Sequence, residues 1–168
     1  MGAGVLPVTL YKGALFLLLG QERKNNLWAD FGGSAYRGEK PFKTAIREGT
    51  EELNGFLGDE NDFEALVTSN MIISISYDKY TSYIFKTNYD KKLPTYFSNV
   101  NKFAEQHLKD KIAIEHNGLF EKKQIQWYPL SKLKEDKSQV AFREFYKPLL
   151  NSIIKNERFI INFLQTMD

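Results

Sequence analysis

GGSAYRGEKPFKTAIREGTEELNG, residues Gly32 to Gly55, is a loop followed by a helix. Pro41 suits a first helical position, where its missing N–H is no loss. Asn54-Gly55 closes the helix, since both residues tolerate the left-handed conformation that ends helices. At 100° per residue, Phe42, Ile46, Gly49, Leu53 and Phe56 fall within about 80° of one another and form a packing stripe. Glu48, Glu51 and Glu52 fall within about 100° on the adjacent flank. Carboxylates crowded at such spacing repel, and the end of a helix disfavours negative charge. Arg47 is the only basic residue between Ile46 and Asn61, so lysines do not offset them. A hard, oxygen-preferring cation such as Mg²⁺ or Mn²⁺ would. The plain alternative is a solvated acidic face.

Outward from this helix the chain reads as strands and helices joined by hairpins. Val5–Tyr11 and Ala14–Leu19 flank the turn Lys12-Gly13 as a hairpin. Trp28–Phe31 is a short extended stretch. Met71–Tyr77 and Tyr80–Thr87 are expected as a second strand pair, Asn99–Leu108 as a helix and Gln124–Tyr128 as a late strand. Val140–Leu164 reads as one or two helices. Hairpins in place of regular βαβ units point to an α+β fold, a mixed-sheet α/β/α sandwich. No repeat, low-complexity tract or linker divides residues 1–168, so one domain is expected.

Composition removes several function classes. With 168 residues, 13 Phe and 9 Tyr, the chain can build an aromatic core of its own. It has no cysteine, which excludes disulfides, thiolate nucleophiles and zinc–thiolate sites. That composition is compatible with a reducing compartment, and a cytoplasmic location is the expectation. The longest apolar run, Ala14–Leu19, is too short to span a bilayer, so no membrane partner is expected. A net charge of +2 gives no general attraction to nucleic acid. The charge is unevenly spread: residues 1–85 carry 8 basic and 11 acidic side chains, residues 86–137 carry 11 lysines and 7 acids. An anionic ligand beside a metal site would suit that division; so would solvated lysines.

The motif itself is more specific. Gly33, Glu39, Arg47-Glu48 and Glu51-Glu52 stand at the spacings of the Nudix box, and six such matches arise by chance at roughly 10⁻⁵ in a chain of this composition. Residues 5–56 resemble the Nudix hydrolase family, including Trp28 ahead of Gly32-Gly33. Trp127-Tyr128-Pro129-Leu130 and Leu133 resemble its late strand and helix start. The chain departs from the family pattern at Gly49, where a bulky apolar residue is usual, at Asn54 and Gly55, and at Phe31. No departure removes a carboxylate.

The resemblance implies a Nudix-like sandwich that hydrolyses a pyrophosphate bond with Mg²⁺ or Mn²⁺. Glu48, Glu51 and Glu52 would be metal ligands, with the Gly33 carbonyl as a further one. Arg47 would orient the carboxylates and Glu39 would brace the loop or hold metal through water. For the general base, Glu52, Glu115 and Glu121 are alternatives. Phosphate contacts are expected from Arg23, Arg37 or Lys40, and ring stacking from Phe31 or Tyr77, with Tyr83 and Phe85 as further choices. The substrate implied is a small-molecule phosphoanhydride, with a nucleotide, a nucleotide sugar, a dinucleoside polyphosphate and, among nucleic acids, a capped RNA as open alternatives. A catalytically inert module that binds nucleotides on the same fold is the rival reading. The isomerase branch of the fold resembles a cysteine-dependent chemistry and does not suit this chain.

Overall fold

A computed structural model describes residues 1–109, 120–135 and 140–167. Its centre is strand β1 (Gly2–Tyr11), whose near-continuous apolar run is buried on both faces, as a central strand requires. Along one edge it pairs in parallel with β6 (Tyr80–Lys86). The other edge is shared. Residues Gly2 to Val5 pair with β4 (Phe31–Ser34), and Val8 to Tyr11 pair with β2 (Ala14–Glu22) across the Lys12-Gly13 turn. Pro7, which cannot donate to a ladder, falls where one partner gives way to the other. β2 also carries β3 (Trp28–Ala29) and β7 (Lys122–Pro129), and β5 (Met71–Tyr77) closes the far side against β6. Only the β1–β6 pairing is parallel among the described strands.

Alternation along these strands feeds two cores. Val5, Leu18, Phe31 and Phe85 face a core completed by helix α1 (Pro41–Glu52), α2 (Glu60–Ser69) and α3 (Leu93–His107). Leu6, Val8, Leu17, Leu19 and Ile84 face the other, covered by α4 (Leu130–Glu135), α5 (Tyr146–Lys155) and α6 (Glu157–Thr166). The result is the expected α/β/α sandwich with a mixed sheet.

Several boundaries differ from the sequence reading for local reasons. Trp28–Phe31 is two strands, split at Asp30 because β3 pairs with β2 and β4 with β1. Helix α2 was not expected; the Asp59 side chain caps it by accepting from Asn61 N and Asp62 N, and Phe63 and Val67 anchor it. Helix α3 begins at Leu93, six residues before Asn99, with Pro94 in its first turn. β7 starts at Lys122, not Gln124, and the C-terminal region is two helices parted at Asn156.

Helix α1 packs against the sheet where glycines face it and sit within it. A Cβ on Gly49 would stand 2.6 Å from Val5 Cγ2 and 2.8 Å from Phe63 Cε1, so the departure from a bulky residue permits the contact. On β4, a Cβ on Gly32 would lie 2.3 Å from the Gly4 Cα and 2.4 Å from the Ala3 carbonyl oxygen. Those are backbone atoms that cannot rotate away. Gly32→Ala is therefore expected to cost about 3 kcal/mol, the upper range for overpacking. Gly13→Ala, at φ +77° in open space, should cost only about 1 kcal/mol of backbone strain. Denaturant unfolding of both variants checks this; equal losses would contradict the packing at Gly32.

Candidate active site

Arg47, a largely covered side chain on α1, gathers the outer part of the site. Its Nε donates to Glu39 Oε1 at 3.0 Å and its Nη2 to Glu39 Oε2 at 3.1 Å, a two-pronged pairing. Nη2 also donates to the Ser34 carbonyl at 3.1 Å, while Nη1 reaches Glu48 Oε1 at 2.9 Å and Glu51 Oε2 at 3.4 Å. The guanidinium stacks over the Tyr36 ring, 4.0 Å from its centroid. Glu39 additionally accepts from Tyr36 N and Thr44 Oγ1, each at 2.9 Å. Glu39 thus braces the loop as expected in position, and Arg47 is a shared clamp rather than an isolated surface ion pair.

The electrostatics follow from those contacts. Hydrogen bonds from Arg47, ahead of those from Tyr36 and Thr44, hold the Glu39 carboxyl down at about 2 despite partial burial. Burial raises Glu48 and Glu51 above the ordinary carboxylate range, against the pull of Arg47, and the negative charge of Glu121 adds to the rise in both. Glu48 rests against Gly33, where a Cβ would lie 2.5 Å from Glu48 Oε2. A side chain at position 33 would displace the carboxylate from this place against the strand.

Glu121 comes to this rim although it is remote in sequence. Asn54, at φ +52°, caps α1 in the left-handed conformation and uses its side chain as a latch. Its Oδ1 accepts from Phe120 N at 2.9 Å, and its Nδ2 donates to Asn101 Oδ1 at 3.1 Å. Asn101 Nδ2 in turn donates to the carbonyls of Lys122 (2.9 Å) and Lys123 (3.2 Å). Arg23 grips the same segment from the other side, its N donating to the Glu121 carbonyl at 3.0 Å and its Nε to the Phe120 carbonyl at 3.1 Å. Arg23 Nη1 also pairs with Glu105 at 2.7 Å.

Glu52 is placed differently from the sequence reading, which set it on one flank with Glu48 and Glu51. It is 2% exposed, because Ala45, Gly49 and Glu52 stand at i, i+4 and i+7 and share the buried face. Its Oε2 accepts from Gly32 N at 2.7 Å and faces Lys122 Nζ at 3.2 Å. Lys122 donates more closely to Glu22, at 2.7 Å, which Arg143 also approaches at 3.2 Å. One ammonium serves two carboxylates and favours Glu22, so burial prevails at Glu52 and pushes it up to about 8. Burial works against the Lys122 charge, but Glu52 and Glu22 outweigh it and hold that ammonium above its usual range. Asp30, buried alongside and bonded by Tyr80 and Ser82 at 2.8 and 2.6 Å, is pushed by burial to about 6.

The remaining expectations divide. Arg37 and Lys40 are exposed on the loop leading to α1. Phe31 is fully buried in the core beside α1 and is corrected as a stacking surface: an inward position on β4 leaves it no open face. Phe85 is buried in the same core, whereas Tyr83 is half-buried against Phe42. Tyr77 is half-exposed beside the β5–β6 turn, opposite Tyr80. Glu115 lies outside the described residues. Sequence reasoning missed Glu22 and Lys122; Lys122 looks like any other member of the lysine-rich half, yet it is wholly buried. No group of three or more His, Asp or Glu is set closely enough to enclose a metal ion among the described residues.

The depressed Glu39 carboxyl has a direct consequence in acid. Its contribution to stability is present above about 4.5, the ordinary value, and is lost as pH falls towards about 2. Glu39→Gln should therefore lower the melting temperature at neutral pH and flatten its decline between those two pH values. An acid limb identical to the parent's would contradict the Glu39–Arg47 brace.

Neither a protein-family model nor a curated protein matches the sequence. Solved structures do. An Ap4A hydrolase from C. elegans, in a binary complex, superposes with a TM-score of 0.55 at 17% identity over 96% of this chain and 97% of its own. A bifunctional NMN adenylyltransferase/ADP ribose pyrophosphatase from Francisella tularensis, complexed with AMP and an Mn ion, gives 0.59 at 16% identity over 92% of this chain and 41% of its own. The Nudix hydrolase RenU from M. Smegmatis gives 0.51 at 12% identity, covering 94% and 85%. At such identities the likeness concerns architecture, and the chain has the Nudix fold.

Proposed function

We propose that this chain hydrolyses a pyrophosphate bond in a nucleoside diphosphate linked to another moiety, using Mg²⁺ or Mn²⁺. The observation that carries the reading is the rim of Glu48 and Glu51, clamped by Arg47 beside Gly33 and within the field of Glu121. Arg47 occupies one oxygen of each glutamate, Glu48 Oε1 and Glu51 Oε2, and directs the carboxylates to a common edge. These are hard oxygen donors, the set that Mg²⁺ and Mn²⁺ prefer. Bound there, the ion would neutralise phosphoryl charge and make a water more acidic. Glu48, Glu51 and the Gly33 carbonyl would hold it. Glu121, exposed at the same rim, is the favoured acceptor for the proton of the attacking water. Glu52, enclosed by Gly32 N and Lys122, is poorly placed for that role. Arg37 and Lys40 lie free on the adjoining loop for phosphate contact.

The neighbours' ligands, AMP with Mn in one case, and the Ap4A and ADP ribose named in their activities, set the first substrates to try. No described helix is long and apolar enough to cross a membrane. The buried Lys122–Glu52 pair favours a second reading, a nucleotide-binding module without turnover, because it ties up one motif carboxylate.

Dinucleoside polyphosphates, ADP-ribose, nucleotide sugars, nucleoside triphosphates and capped RNA should be screened with Mg²⁺ and Mn²⁺, reading mononucleotide and phosphate products. Turnover abolished by chelator is expected on at least one class. Glu48→Gln should lower kcat by about 10²-fold or more without unfolding the protein. Nucleotide binding with no turnover on any class would establish the second reading.

A further inference from the structure

We propose that the Lys122 ammonium occupies the inner cation position of this centre, so that Glu52 is withheld from divalent ions and these bind only at the outer rim of Glu48 and Glu51. The inference rests on the metal-dependent reading above and specifies which motif carboxylates take part.

Lys122 is a built feature, not a surface lysine folded inward. Its side chain is 0% exposed, and its ammonium lies between Glu22 and Glu52 at 2.7 and 3.2 Å. An ammonium out of water is tolerated only with such partners. Its stem passes over Gly20, where a Cβ would stand 2.9 Å from Lys122 Cδ and 3.1 Å from Cε, so glycine keeps the path open. The strand register sets Lys122 opposite Glu22 after an irregularity at Gln21/Glu22. Asn101, itself held by Asn54, fixes the Lys122 carbonyl at 2.9 Å. Three separate elements, β2, α1 and α3, therefore hold this lysine in position.

The two zones of the centre then differ in what they can accept. At Glu52, both Gly32 N and Lys122 address Oε2, and a divalent ion drawn to that carboxylate would meet a fixed positive charge in a poorly solvated interior. At Glu48 and Glu51, Arg47 bonds one oxygen of each and the side chains are partly exposed, 16% and 27%. The other oxygen of Glu48 lies against Gly33, and the partial exposure of both side chains leaves room for a hydrated ion to approach. Lys122 acts here as a positioning residue: it sets the orientation and charge balance of Glu52 and touches no substrate.

The test is Mn²⁺ binding without substrate, by calorimetry and by electron paramagnetic resonance counting of free ion, on the parent, Glu52→Gln, Lys122→Met and Lys122→Arg. Melting curves establish that each variant folds. Glu52→Gln should bind Mn²⁺ as the parent does. Lys122→Met, which keeps the length but not the charge, should gain one ion or tighten binding by about tenfold or more, within the range for altering a group behind metal ligands. Lys122→Arg should remain parent-like. If Glu52→Gln weakens Mn²⁺ binding about tenfold, Glu52 is a ligand in the parent and the proposal is overturned while the hydrolase reading stands. If Lys122→Met neither gains an ion nor tightens binding, the proposal is likewise overturned. Should Lys122→Met not fold, the Glu52→Gln comparison decides alone. A parent that binds no Mn²⁺ would sink the metal-dependent reading and this proposal with it, since no ion then occupies the outer rim.

Discussion

The close seating of α1 on β1 and β4 is the constraint on which this molecule depends. It exists because side chains are missing at the contact: Gly49 on the helix admits Val5 and Phe63, and Gly33 on the strand admits the Glu48 carboxylate. Gly4 and Gly32 let β1 and β4 approach where Tyr80 crosses them to reach Asp30. A larger residue at Gly49 would press the helix away from Val5 and Phe63, one at Gly33 would displace the Glu48 carboxylate, and one at Gly4 or Gly32 would force β1 and β4 apart. The helix-propensity cost of Gly49, about 1 kcal/mol, is small beside the buried apolar contacts that the close approach allows.

That seating divides one run of glutamates into two electrostatic settings. Glu48 and Glu51 stay at the rim, where Arg47 can neutralise part of their charge and water can reach the rest. Glu52, one residue on, turns into the interior, where an unpaired carboxylate would be costly. The chain meets that cost with Gly32 N and with Lys122, delivered from a strand that begins seventy residues later in the sequence. Removing one partner from such a buried group is generally more damaging than never having formed it.

Much of this was legible beforehand where the physics is local. The Pro41 start, the Asn54 left-handed cap and the Lys12-Gly13 hairpin all follow from spacing or motif, and each takes its expected place; the pairing of Arg47 with Glu39 was not among the expectations, because it depends on how the loop folds back on the helix. Helix α2 carries a local signal in Asp59, a capping residue just ahead of its first turn. The inward turn of Glu52 was not legible by residue type, since its helical position with Ala45 and Gly49 had to outweigh its charge. Lys122 and Glu22 were out of reach because their meeting depends on the β2–β7 register, a contact between distant segments. Phe31 misled for the same reason: beside the motif in sequence, it points into the core once β4 pairs with β1.

The central claim is that the rim beside Gly33 is where a divalent ion acts. Nuclear magnetic resonance with substoichiometric Mn²⁺ tests it most directly, because a bound paramagnetic ion erases nearby amide signals. The signals of Gly33, Glu48, Glu51 and Glu121 should vanish first. Those of Lys12 and Gly13, at the far end of β1 from the Ala3–Gly33 pairing, should persist. Loss of signal centred elsewhere, or no selective loss at all, would contradict the account.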